Sequence, residues 1–322
     1  MSSIEILGHR AYKGCYPENT LLAYDKAYEA GVHTIETDIQ MTKDGVVVIN
    51  HDATTGRIFD QDLVIAETDY SELANLRCKS TEYRNEKLPT LVDALEWAVK
   101  HPNVQLMIDI KFTNEKIILI KTLGDMLRVK NDVAYWQQRI VWGLWTLDWY
   151  QFGVETGVLK DFRFIVISLS LEIAKQFVEY SERLDNDHYR LYGVSLHYVC
   201  SWTSQFQKEW FPYLRKNGLK VYLWTVNSEP DFKYLCSLPI DGAITDDPVT
   251  ARQLCQQYKK TPENTFKRPY FNSKEGFRFY GFIAIYKLVI TLLFSPWSHY
   301  KILGKWSLAQ LLFQILRLIH FL

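Results

Sequence analysis

The chain has 322 residues, 48% hydrophobic and 15% aromatic, which can bury a core that no disulfide-stapled miniprotein holds, and its 23% charged residues without long polar repeats exclude a disordered chain. Lys+Arg and Asp+Glu both number 37, so the whole chain offers no electrostatic case for nucleic acid. The balance is uneven, however: beyond residue 258 ten Lys/Arg stand against two Asp/Glu, leaving 27 against 35 before it, so an acidic body and a basic tail are expected to face different surroundings.

Strand-like runs at 4–7, 33–38, 105–110, 139–145, 163–168, 191–197, 219–226 and 242–245 alternate with helical patterns such as 20–30, 90–100, 115–130, 147–157 and 247–257. Eight such strands predict a closed (β/α)8 TIM barrel over 1–258. A further strand-like run at 45–50 follows the second strand across Asp44-Gly45, a hairpin signal. A turn centred there pairs positions that sum to 89 and sets Asp38 opposite His51. Residues 52–89 then form an insertion, expected to cap one side of the barrel mouth. Residues 259–278 read as a basic linker.

Beyond it lie two apolar runs, 279–294 with Lys287 as its one charge and 306–322 with Arg317 as its one full charge. As helices they reach about 24 and 26 Å, short of the roughly 30 Å hydrocarbon core. Ser307, Gln310, Gln314 and Arg317 share one face of the second, which suits a helix lying in an interface, with Trp297, Tyr300 and Trp306 at headgroup level. Residues 279–322 are therefore expected to anchor the chain, and their removal to release it from membranes. The five cysteines are scattered without metal or redox spacing, and the N-terminus lacks a secretory signal, so the catalytic part is expected to face the cytosol.

The chemistry gathers at the ends of the early strands, where a barrel of this type builds its site. Residues two apart on a strand share a face, so Glu36 converges with Asp38, and Asp109 with Lys111. Three converging carboxylates call for a cation, and all-oxygen ligands favour Mg²⁺ or Ca²⁺. Arg10 and Lys111 suit an anionic phosphate, and His9 and His51 add a base and an acid near neutral pH. Together these are the parts needed for phosphodiester cleavage. Trp145 and His197 end strands and either reach the mouth or pack; His33, His101 and His188 have no supporting neighbours.

The strings Gly8-His9-Arg10, Tyr16-Pro17-Glu18-Asn19-Thr20, 35–45, Asn50-His51-Asp52, Asp109-Ile110-Lys111, Trp224-Thr225-Val226-Asn227 and 242–248 resemble, in order, the glycerophosphodiester phosphodiesterase family. The resemblance implies that His9 and His51 are the catalytic pair, that Glu36, Asp38 and Asp109 bind one divalent metal, that Arg10 and Lys111 hold phosphate, and that Trp224 lines the pocket. Asp109 stands where that family commonly has Glu, one methylene longer. Glu18 and Asn19 either hold the first loop or touch ligand. The second Pro-Glu-Asn-Thr string, at 262–265, has no His-Arg before it and is a coincidence.

The Trp-rich stretch 142–150 and the ending Ile319-His320-Phe321-Leu322 further resemble the fungal phospholipase C branch of this family. That likeness implies a phospholipid substrate, phosphatidylglycerol, cut to diacylglycerol and a glycerol phosphate at a lipid droplet, endoplasmic-reticulum or mitochondrial membrane. The alternatives are a glycerophosphodiester phosphodiesterase or lysophospholipase D on related diesters, and a catalytically silent lipid-binding module.

Overall fold

The computed structural model describes residues 4–258, 266–295, 301–302, 306–307 and 311. Nine strands form one sheet: β1 (Glu5–Gly8), β2 (Thr34–Met41), β3 (Val47–Ile49), β4 (Gln105–Ile110), β5 (Ile140–Leu144), β6 (Arg163–Ser168), β7 (Gly193–His197), β8 (Lys220–Trp224) and β9 (Gly242–Thr245). Strand β1 pairs in parallel with both β2 and β9, so all strands but β3 close into an eight-stranded barrel. The (β/α)8 fold expected from the alternating pattern is the fold the chain adopts.

The barrel lumen is packed with Leu7, Met107, Val141, Ile165, Tyr222 and Ile244, all buried. That filling leaves polar residues only the strand ends, which is why the site sits at the mouth. Threonines fix where two of the covering helices begin. Thr20 accepts from the Ala23 amide, and Thr90 and Asp93 form a reciprocal capping box, so Leu21–Glu29 and Leu91–Lys100 start one residue after the expected position.

The β2–β3 hairpin differs from expectation by one residue. The Thr42 amide donates to the Val46 carbonyl and Gly45 takes φ +82°, so the loop is Lys43-Asp44-Gly45, three residues with a left-handed glycine, not a two-residue turn. Pairs such as Ile39 with Ile49 and Gln40 with Val48 sum to 88, and it is Asn50 whose amide meets the Asp38 carbonyl. His51 therefore lies one step beyond the pair. The insertion after it packs Phe59, Ile65, Leu73, Leu76 and Leu88 into a small core against Val48 of β3, and has no strand among its residues.

At the C-terminal end a 20-residue helix, Lys274–Leu293, begins at the Ser273 cap and not at 279. It is long and apolar enough to cross a membrane, yet it is packed against the barrel through Phe279, Tyr286 and Val289, all buried. Lys301–Ile302 and Trp306–Ser307 pair antiparallel, so Trp306 and Ser307 are extended where a helix was expected to start. Trp297, Tyr300, Gln310, Gln314, Arg317 and the 262–265 string lie outside the described residues.

Candidate active site

The Gly-His-Arg string is a forced reversal at the end of β1. A Cβ on Gly8 would lie 2.2 Å from the Ala11 carbonyl oxygen, so no other residue fits. Arg10 and Ala11 then both adopt positive φ, +48° and +69°. That strained backbone is held by Glu36, whose Oε2 accepts from the Arg10 amide at 2.8 Å and whose carbonyl accepts from the Ala11 amide at 3.1 Å. The turn aims His9 back at β9, where its Nδ1 lies 2.5 Å from Asp246 Oδ1. Asp246 is itself fixed by Asn227, whose Nδ2 donates to it at 2.9 Å.

Glu36, Asp38 and Asp109 are buried, and one carboxylate oxygen from each lies within 4.8 Å of the others. Lys111 Nζ stands among them, 2.6 Å from Asp38 Oδ1 and 2.5 Å from Asp109 Oδ2, and Arg10 Nε is 3.6 Å from Asp38 Oδ2. Asn19 donates from Nδ2 to Asp38 at 2.9 Å, and the Trp145 indole donates to Asp109 Oδ1 at 2.6 Å. Burial and the Asp38 and Asp109 charges push Glu36 well above the usual carboxyl range. Burial likewise raises Asp109, against the pull of Lys111. For Asp38 burial acts upward too, but Lys111, His51 and Arg10 outweigh it and hold the group far down. Two of three carboxylates thus resist ionising with only Lys111 and Arg10 nearby, and this oxygen-only cluster fits a hard divalent cation of the Mg²⁺ or Ca²⁺ type.

His51 reaches the cluster from the hairpin and is oriented by the insertion. Its Nδ1 is 2.9 Å from Asp52 Oδ1, and Arg57 Nε donates to Asp52 Oδ2 at 2.5 Å. Arg57 also forks onto Glu18 with two bonds of 2.7 Å, and Glu18 accepts from Arg10 Nη1 at 2.9 Å. The insertion is therefore wired to the mouth, as expected of a cap on one side. Burial, then Lys111 and Arg10, bring His51 down to about 3, and burial with Arg10 lowers His9. Both imidazoles are neutral near pH 7. Because Asp246 and Asp52 are ionised acceptors, each Nδ1 carries the proton and each Nε2 keeps a lone pair.

All eight residues singled out from sequence, His9, Arg10, Glu36, Asp38, His51, Asp109, Lys111 and Trp224, meet in this mouth. Trp224 joins through Trp145, with ring centroids 6.1 Å apart, and its Nε1 is buried without a hydrogen-bond partner. Trp145 resolves in favour of the site, while His197 is fully buried against Tyr198 and Trp224 and packs. Glu18 and Asn19 hold the first loop to Arg10 and Asp38. Sequence reasoning gave no role to Asp246, Asp52 or Arg57, although the first two stand inside the quoted strings. The signal was a carboxylate beside each histidine, adjacent in sequence for His51 but reaching His9 only across the barrel closure.

The sequence profile of the Glycerophosphoryl diester phosphodiesterase family matches residues 9–250, more than half of the chain. The chain belongs to this family. It is thus a phosphodiester hydrolase by family, of a kind that uses a divalent metal, and the matched span stops short of the C-terminal helix. It is 25% identical over 258 residues to a glycerophosphodiester phosphodiesterase of Caldanaerobacter subterraneus, covering 78% of this chain and 98% of that protein. It is also 25% identical over 280 residues to a lysophospholipase D of Mus musculus, covering 78% and 86%. A phosphodiesterase of Oleispira antarctica solved with the product sn-glycerol-3-phosphate has the same fold, with a TM-score of 0.65 at 24% identity over 79% of this chain and 97% of that one.

Proposed function

We propose that this phosphodiesterase is a phospholipase C that cleaves phosphatidylglycerol to diacylglycerol and a glycerol phosphate at a lipid surface. The observation that carries the diesterase chemistry is the pair of histidine–carboxylate dyads, His9–Asp246 and His51–Asp52, both within reach of the Arg10 charge beside the carboxylate cluster. A lipid substrate is supported by the apolar helix packed on the same end of the barrel and by the basic chain beyond residue 258.

Glu36, Asp38 and Asp109 would hold the divalent cation, which when bound supplies positive charge against the phosphoryl oxygens. Arg10 and Lys111 bind and orient the diester and stabilise the charge that grows on it. One histidine takes the proton of the attacking hydroxyl on its Nε2, and the other, protonated as the anionic diester arrives, gives its proton to the departing diacylglycerol oxygen. The attacking group is the neighbouring hydroxyl of the headgroup glycerol, and water opens the resulting cyclic phosphate. Phosphatidylglycerol has that hydroxyl and phosphatidylethanolamine does not, so selectivity follows from chemistry as well as shape. Trp224, with its buried indole N–H unpaired, has a donor to offer the glycerol.

A second reading, cleavage on the other side of the phosphate or of soluble diesters, is favoured by the likeness to the mouse lysophospholipase D. Product analysis separates them. Purified protein is incubated with phosphatidylglycerol, phosphatidylinositol, phosphatidylethanolamine and glycerophosphoglycerol, with and without chelator and beside His9→Ala. Diacylglycerol from phosphatidylglycerol alone, lost with chelator and variant, is the expected result. Phosphatidic acid, or turnover of glycerophosphoglycerol only, would transfer the assignment to the second reading.

A further inference from the structure

The Lys274–Leu293 helix is fastened to the barrel at two points. Arg278 forks onto buried Asp231, in the helix that follows β8, at 2.7 and 2.8 Å. Eight residues on, the Tyr286 hydroxyl donates to the Leu169 carbonyl, just past β6, at 2.7 Å. Eight residues of helix rise about 12 Å, close to two strand spacings of about 4.8 Å, so the helix lies across the ends of β6, β7 and β8. Between the two fastenings Phe279 stacks on Trp202 at 4.9 Å, in the segment after β7.

The outer side of this helix is largely apolar as well. Phe277 is 80% exposed and Leu288 58%, with Ala284 exposed between them, Thr291 beyond them, and Lys287 as the one charge from 279 to 294. Such an outer row is an apolar face still without its solvent. Across the mouth, the loop after β4 presents Phe112, 57% exposed, its ring 6.4 Å from the Trp145 ring that neighbours Asp109. Ile117 and Ile120 stand exposed behind it. Two apolar rims thus flank the carboxylate cluster on one end of the barrel.

We propose that these rims form a single lipid-docking face: the helix lies flat on an anionic phospholipid surface, Phe112 enters that surface from the opposite side of the mouth, and the site opens directly onto the headgroups. A helix crossing the bilayer would have to abandon Arg278–Asp231 and Tyr286–Leu169; one lying on it keeps both. The partner is anionic lipid because, Arg278 being spent on Asp231, nine further Lys/Arg against two Asp/Glu beyond residue 258 complement such a surface. This face deepens the phospholipase reading and rests on it for the substrate, while the docking itself is measured without catalysis.

The test is co-sedimentation of the full chain with phosphatidylcholine vesicles containing phosphatidylglycerol. Phe112→Glu lies far from the tail in sequence and is exposed, so it should melt like the parent and bind about tenfold more weakly, the loss of one inserted aromatic; Leu288→Glu should do the same. Where Phe112→Glu lowers the melting temperature, Phe112→Ala serves, with a smaller loss in the same direction. Binding by the Phe112 variants equal to that of the parent would overturn the two-rimmed face and leave the tail as sole anchor. A parent that hydrolyses glycerophosphoglycerol but not phosphatidylglycerol, with Phe112→Glu still releasing vesicles, would sink the phospholipase reading and uphold the docking face.

Discussion

Glu18 serves the site without touching its chemistry. Burial pushes its carboxyl up, but the charges of Arg10 and Arg57 hold it down to about 2. A depressed acid stabilises the fold above its ordinary value of 4.5 and loses that contribution as pH falls toward 2. Glu18→Gln leaves both arginines short of a partner and should cost about 3 kcal/mol by urea unfolding at neutral pH, the gap to the parent narrowing as pH falls from 4.5 to 2. The carboxylate cluster has the opposite sign. Glu36 and Asp109 are raised, so without a cation they disfavour the folded state increasingly as pH rises past their ordinary values, 4.5 and 3.8. The difference in Tm between Mg²⁺- or Ca²⁺-loaded and chelated protein should therefore widen from about pH 5 to 8 by calorimetry; a constant difference would argue against a cation among these carboxylates. For the histidines, His9→Ala and His51→Ala should each lower kcat about 10²–10⁴-fold with Tm kept. Asp246→Asn, which frees His9 to adopt the other tautomer, should lower kcat at unchanged KM. The eight residues were legible because each sits in a string with chemistry in it. The partner that orients His9 was not, since His9 and Asp246 are 237 positions apart and meet only when β1 closes on β9.

At the scale of elements, the strand pattern was legible because lumen packing is a local rule, whereas Thr20 and Thr90 were counted inside helices that they cap. β4, β6 and β9 begin and end where the apolar runs do. The β2–β3 register was not, because Asp44-Gly45 is compatible with both a two-residue turn and a three-residue loop, and the choice rests on the Thr42–Val46 bond. The consequence reaches the site, since the hairpin carries His51 to the Asp38 side of the cluster. Gly45→Val sets a β-branched residue at φ +82° and should cost about 1–2 kcal/mol, with a loss of kcat beyond what the remaining stability explains. Gly45→Asn tolerates that backbone and should recover most of both. Equal effects of Val and Asn on kcat would mean that the turn does not position His51.

For the molecule as a whole, the tail looked separable in sequence because apolar composition marks a change of surroundings without saying what an apolar helix leans on. In the folded protein its inner face is part of the barrel's packing: Phe279 lies against Trp202, and Tyr286 and Val289 are buried with it. Three such side chains contribute roughly 1.5–3 kcal/mol each, a sum comparable with the 5–15 kcal/mol that holds a typical domain together. Removal of residues 279–322 should therefore release the protein from vesicles and also lower its Tm and its hydrolysis of detergent-dispersed lipid. Leu288→Glu separates the two effects, because Leu288 faces outward: vesicle binding should fall while Tm and hydrolysis in detergent hold. Tyr286→Phe removes only the hydroxyl that bonds Leu169 and should cost about 1 kcal/mol. A truncated protein with the parent's Tm and detergent activity would mean that the helix is an anchor and nothing more; a destabilised one ties the C-terminal helix to the fold that holds the site.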